Sequence, residues 1–165
     1  MIKLILIFSM MIIGCSNLST QNSSDYIYKN KYHYGILNKT LIKNHDGYSW
    51  FNKNYNNYEP NIDKINIDKL NKTSIKIFMG TWCHDSKREV PRFYKILDAL
   101  KFDQKNLQII GLTKDKKGFF QNYSEYKITS TPTFIFFDKD KEIGRIIEKP
   151  QGSLEMHIKL ILDQT

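Results

Sequence analysis

Polar and apolar side chains alternate through SIKIFMG, and the apolar ones are β-branched or aromatic. That pattern predicts a buried strand over residues 75–79 ending at Gly80. The period then changes. In CHDSKREVPRFYKILDAL, residues Val90, Phe93, Tyr94, Leu97 and Leu100 recur at three- and four-residue steps, which places them near one face of a helix. Acidic residues in its first turns suit the positive end of the helix dipole, and Pro91 is expected to kink it. Two further apolar runs, LQIIGLT and TFIFFD, predict core strands. The turn DKDKE and the strand EIGRIIE complete a hairpin, and SLEMHIKLIL predicts a closing amphipathic helix capped by Ser153. The order is strand, helix, strand, hairpin, helix.

The preceding half is less regular. YHYGIL predicts a strand, TLIKN a short helical turn capped by Thr40, and YSWFNKNYNNYEP an aromatic helix stopped by Pro60. In NIDKINIDKLN, Ile62, Ile65 and Leu70 lie at near-helical spacing and predict another amphipathic helix.

At the N-terminus, Lys3 precedes an apolar run from Leu4 to Ile13 that ends in Gly14 and Cys15. A run of ten residues is too short for a permanent span, which needs about 20, so the segment is expected to be a cleaved secretory signal. IIGC resembles the bacterial lipobox, in which cleavage falls before the cysteine and the cysteine is lipidated. The resemblance implies a signal peptide over 1–14, Cys15 as the lipidated N-terminus, and a location outside the cytoplasm, anchored to a membrane of the bacterial cell envelope. The polar stretch after Cys15 buries too little to offset its ordering entropy, so residues 15–30 are expected to be a flexible tether and 31–165 one domain.

Lipidation changes the cysteine arithmetic. The chain has two cysteines, and if Cys15 carries lipid then Cys83 has no disulfide partner and is either functional or buried and inert. The formal charge of +8 is diffuse, with no arginine cluster and no aromatic platform for bases, so no nucleic-acid partner is expected; the excess of lysine suits loose attraction to an anionic membrane. A chain of this size that is 41% hydrophobic closes one core unaided, and a monomer is expected.

FMGTWCHDSKREVP, followed by STPTFIFFDKDKEIGRII, resembles the thioredoxin superfamily over roughly residues 50–165. In that family a Trp-Cys-x-x-Cys motif heads a kinked helix and a cis-proline faces it. Trp82 and Cys83 match the start of the motif, Pro91 falls eight residues after the cysteine, and Thr131-Pro132 precedes an apolar strand. The resemblance implies an α/β thioredoxin-like three-layer fold, a central mixed sheet flanked by helices, with a cis Thr131–Pro132 bond opposite Cys83. Two departures bear on function. Ser86 stands in place of the second cysteine, and Ile77 stands where many thioredoxins keep a buried carboxylate.

The site residues are therefore Cys83, Ser86 and Pro132, flanked by Trp82, His84, Asp85 and Thr131. Unpaired N–H groups at a helix start stabilise a thiolate. Protonated His84 would add to that effect, Asp85 would oppose it, and Ser86 is placed to donate a hydrogen bond to the sulfur, or else serves only as a first-turn polar residue. Metal binding is not expected, because consecutive helical residues point about 100° apart and Cys83, His84 and Asp85 cannot converge on one ion. His33, His45 and His157 are read as isolated surface or core-edge residues, and Asp85 with Glu89 as dipole-stabilising charges. No cofactor is expected. Three functions stay open: monothiol thiol–disulfide exchange through Cys83 with a protein or small-thiol partner, resolved by an outside thiol; a non-catalytic module that binds extended peptides; or, last, a metal- or peroxide-reactive site.

Overall fold

The computed structural model describes residues 25–164. The expected signal peptide and the expected lipidation residue Cys15 lie outside them. Six strands form one mixed sheet: β1 (Tyr26–Lys29), β2 (Tyr32–Leu37), β3 (Thr73–Met79), β4 (Leu107–Gly111), β5 (Thr133–Asp138) and β6 (Lys141–Ile147), in the order β1-β2-β4-β3-β5-β6. Only β3 and β4 pair in parallel; the other neighbours are antiparallel. The stretch assigned to a tether thus overlaps a strand, because Tyr26–Lys29 pairs along its whole length with β2. Ladder hydrogen bonds to an already ordered neighbour offset the cost of fixing a polar segment.

Among the described residues five helices accompany the sheet: α1 (Lys39–Lys43), α2 (Ser49–Asn56), α3 (Ile67–Leu70), α4 (His84–Ala99) and α5 (Leu154–Leu162). Several local expectations shift. Asn38, not Thr40, caps α1 by accepting the Leu41 N–H, and α2 ends at Asn56, before Pro60 is reached. The segment expected to be one amphipathic helix is a 3-10 turn at Ile62–Lys64 and the single turn of α3, whose cap Asn66 accepts the Lys69 N–H. Asparagine competes for backbone partners and so breaks a helix where it also starts one. Ser153 caps α5 by accepting from Met156. Among the described residues no helix is long and apolar enough to cross a membrane.

Alternation in the strands divides the core. Ile75, Ile77 and Met79 of β3 join Ile109, Phe134 and Phe136 on one side, under Phe51 of α2, Phe93 and Leu97 of α4, and Ile158 and Ile161 of α5. Phe78 points the other way, with Ile110, Ile135 and Phe137, and is covered by Tyr123, Tyr126 and Ile128. The roof over that second face is built around a single 3-10 turn, Ser124–Tyr126. Ile77, at the position of the family's buried carboxylate, is fully buried in apolar contact, so the core here holds no proton acceptor at that point.

Pro91 lies inside α4 and is buried. It has no N–H for the Lys87 carbonyl one turn back, and that carbonyl accepts the Asn54 side-chain amide from α2 at 3.1 Å. A second link joins the same helices. The Tyr55 hydroxyl donates to Asp98 at 2.5 Å, and burial, reinforced by that carboxylate, pushes the hydroxyl up to about 12. Lys39 pairs with the same Asp98. These contacts fix the helix that carries the thiol.

Candidate functional site

The parallel pair β3–β4 sets the site at the carboxyl end of β3. Gly80 follows the strand and is needed there, because a Cβ on it would meet the Trp82 indole at 2.4 Å. With the glycine in place the indole packs against the strand end, and its Nε1–H donates to the Leu112 carbonyl at 2.9 Å. Trp82 therefore acts as a wall that ties the motif to the end of β4.

Cys83 is the N-cap of α4. Its backbone is extended, its N–H donates to the Gly80 carbonyl at 2.9 Å, and its carbonyl accepts the Lys87 N–H. The sulfur stands at the positive end of a sixteen-residue helix, half-buried. Across from it the Thr131–Pro132 peptide bond is cis, and the thiol donates to the Thr131 carbonyl at 3.0 Å. Forty-eight residues of sequence separate these two groups. The Pro132 carbonyl is itself taken by the Glu148 N–H at 2.8 Å, which locks the proline loop to the end of β6.

The flanking residues divide by burial. Ser86 is fully buried, and its hydroxyl oxygen accepts the Gly80 N–H at 3.2 Å, fastening the first turn of α4 to the end of β3. His84 is exposed, with 88% of its side chain in solvent. Asp85 turns away to Arg88, whose guanidinium reaches its carboxylate at 2.7 Å and also donates to buried Glu89 at 2.5 Å. The carboxylate expected to oppose a thiolate is thus compensated by an arginine, and Asp85 and Glu89 are joined through that cation. A recess of about 390 Å³ lies between this part of α4 and the loop from Lys149 to Leu154, lined by Arg88, Glu89, Arg92 and Tyr58.

The shoulder of the site was not visible in sequence. Thr81, one residue before Trp82, is fully buried and its hydroxyl accepts the His33 N–H at 3.0 Å; the same N–H also reaches the Tyr48 hydroxyl at 3.1 Å. His33 is not isolated. Its ring packs against those of Tyr26, Tyr28, His45 and Tyr48, and its Nδ1 shares a hydrogen bond with the Tyr48 hydroxyl at 3.0 Å. A period-two strand pattern marks His33 only as alternating with Tyr32 and Tyr34; the partners come from β1 and α2's approach.

Burial, and then the neighbouring His45, hold His33 below the usual histidine value of 6.5, and burial does the same for His157. Below pH 6.5 the unfolded chain takes up protons at these rings more readily than the folded one, so stability is complete above that pH and falls as pH drops below it. Melting followed by circular dichroism between pH 7.5 and 5 is expected to show the loss, and His33→Gln is expected to flatten it. A melting temperature that does not fall over this interval contradicts the assignment. The exposed Asp103, Asp115 and Asp163, held below 3.8 by nearby donors, lose their contributions in a separate, more acidic window.

A free cysteine at the head of the helix after a central strand, facing a cis-proline before the next antiparallel strand, defines a thioredoxin-type site. The chain belongs to the thioredoxin family, whose model matches residues 36–161. Thioredoxin H9 of Arabidopsis thaliana is 26% identical over 102 residues, which span 61% of this chain and 69% of that protein. Among solved structures it is similar to Fasciola hepatica thioredoxin, at 18% identity over 59% of this chain and 84% of that one, with a TM-score of 0.38. Thioredoxin O2 from Arabidopsis thaliana in the oxidised state shares 16% identity over 71% of this chain and 87% of its own, also with a TM-score of 0.38. The family gives the chain, in general terms, a redox role in thiol–disulfide exchange.

Proposed function

We propose that this protein is a monothiol exchange protein, held to a membrane of the bacterial cell envelope by lipid on Cys15, with Cys83 as its nucleophile. The observation that carries the reading is the position of the Cys83 sulfur, at the N-cap of α4 and 3.0 Å from the Thr131 carbonyl. In the resting site the carbonyl holds the S–H proton. On attack that proton leaves to solvent and the thiolate displaces one sulfur of a partner disulfide, forming a Cys83–partner disulfide and releasing the other partner sulfur as thiolate. An outside thiolate then attacks the partner sulfur, regenerating the Cys83 thiolate and leaving the partner disulfide-bonded to the outside thiol. Two sulfur–sulfur bonds form and two break, with no net oxidation.

Ser86 holds the strand end instead of resolving the adduct, so the mixed disulfide is expected to accumulate. Ser86→Cys tests this. Placed three residues after Cys83, the new sulfur is within disulfide reach, and an adduct with an aromatic disulfide probe should discharge internally and release the second probe thiol. Measured in a Cys15→Ala background, the wild type should retain one probe per chain by mass, and Ser86→Cys should retain none. Rapid spontaneous loss of the probe from the wild type opposes the monothiol reading. The peptide-binding alternative would need a second donor at the Thr131 and Pro132 carbonyls, which already accept from the Cys83 thiol and the Glu148 N–H, and no observation favours it over exchange.

A further inference from the structure

The loop after β4, TKDKKGFFQN, has no part in the exchange site, yet it leaves two phenyl rings in solvent: Phe119 is 39% and Phe120 49% exposed. The rings touch each other, with centroids 5.0 Å apart, and Phe119 stacks on Tyr34 of β2 at 5.6 Å. Lysines surround them. Lys29 lies 6.0 Å from the Phe119 centroid and Lys114 lies 5.8 Å from that of Tyr32. Lys31, Lys116 and Lys117 belong to the same turn and loop, against Asp25 and Asp115, and Asp115 is engaged by Thr113 and Lys117. Exposed aromatics interleaved with lysine form the composition that settles at a headgroup layer, the rings in the acyl boundary and the ammonium groups on anionic phosphates.

The point where the N-terminal segment joins the fold selects the occupant. Gly35 of β2 has φ +95°, and a Cβ there would meet the Asp25 carbonyl at 2.3 Å and the Phe120 ring at 2.9 Å. The residue that follows the polar stretch after Cys15 and the more exposed of the two rings therefore lie against the same glycine. We propose that this face, built by the β1–β2 turn and the loop 113–122, rests on an anionic lipid surface and orients the anchored domain. The proposal rests on the lipid anchor described above. Leu112, whose carbonyl holds Trp82, immediately precedes this loop, so the docked face places the Cys83 end of the sheet beside the bilayer, within reach of membrane-bound partners.

The mature protein as a bacterial host produces it, carrying Phe120→Trp and reconstituted in vesicles containing brominated lipid, tests the orientation. With phosphatidylglycerol vesicles at 100 mM salt, bromine is expected to quench the new indole by at least a third relative to the wild-type background from Trp50 and Trp82. With phosphatidylcholine vesicles, or after Lys29→Glu with Lys114→Glu, quenching should fall to background while the protein still floats with the vesicles. Flotation without quenching on phosphatidylglycerol overturns the face assignment and leaves the anchor intact. Absence of flotation on phosphatidylcholine, with flotation and quenching on phosphatidylglycerol, overturns the anchor and supports the face. An emission shift that tracks protein concentration in the absence of vesicles assigns the patch to a second copy and overturns the proposal.

Discussion

Cys83→Ser is expected to abolish formation of the mixed disulfide completely while leaving the fold in place. The reaction needs a thiolate, and Cys83 is the one free cysteine among the described residues, so no other side chain of the domain can substitute. The serine hydroxyl can still donate to the Thr131 carbonyl, so the contact across the site survives and the stability change should stay within about 1 kcal/mol. The pairing of total chemical loss with a small structural loss is what identifies a nucleophile. Probe incorporation by mass spectrometry and urea unfolding measure the two together, again in the Cys15→Ala background. Slow or absent probe incorporation in the parent carrying Cys83, or unfolding shifted by several kcal/mol in Cys83→Ser, would mean that the sulfur matters mainly as packing.

Phe93→Ala is expected to cost about 3 to 5 kcal/mol, a large share of the 5 to 15 kcal/mol that a domain of this kind has in total. Phe93 is fully buried on α4, with its ring centroid 4.5 Å from that of Phe134 and 6.0 Å from that of Phe136. Truncation loses the transfer energy of the ring and leaves a cavity between α4 and β5. Those elements carry Cys83 and follow Pro132, so the same substitution loosens both walls of the site. Urea titration should show a lower midpoint with an unchanged slope, and a loss below about 1 kcal/mol would contradict this packing.

The two halves of the chain were unequally legible for a physical reason. β3, α4, β5 and α5 each bury a continuous apolar face, so burial and local periodicity agree and the pattern survives folding. The segments between residues 38 and 70 are rich in asparagine and tyrosine, whose polar ends find partners in other elements. Tyr58 is an example: its hydroxyl donates to Glu155 of α5, 97 residues away, at 2.9 Å. Glu155 is almost fully buried despite its polar carboxyl group, a placement that α5's own pattern does not require. Asn54, likewise, meets a carbonyl left open by a proline in another helix.

What the sequence determined by itself was the order of the central elements, through residue type and spacing, and, through the family resemblance those motifs carry, the candidate cysteine Cys83, the serine at Ser86 in place of a second thiol, and the proline expected to face the site. What only the tertiary structure decided was the company those residues keep. The Thr131 carbonyl meets the Cys83 thiol, the Ser86 hydroxyl is turned to Gly80, Arg88 compensates Asp85, and Thr81 is tied to a buried histidine from β2. The Cys83, Ser86 and Thr81 contacts join residues distant in sequence or oriented by the strand end, and even the neighbours Asp85 and Arg88 meet in one of several rotamers. Local propensity does not choose among such pairings; closing the sheet and excluding water around its end does.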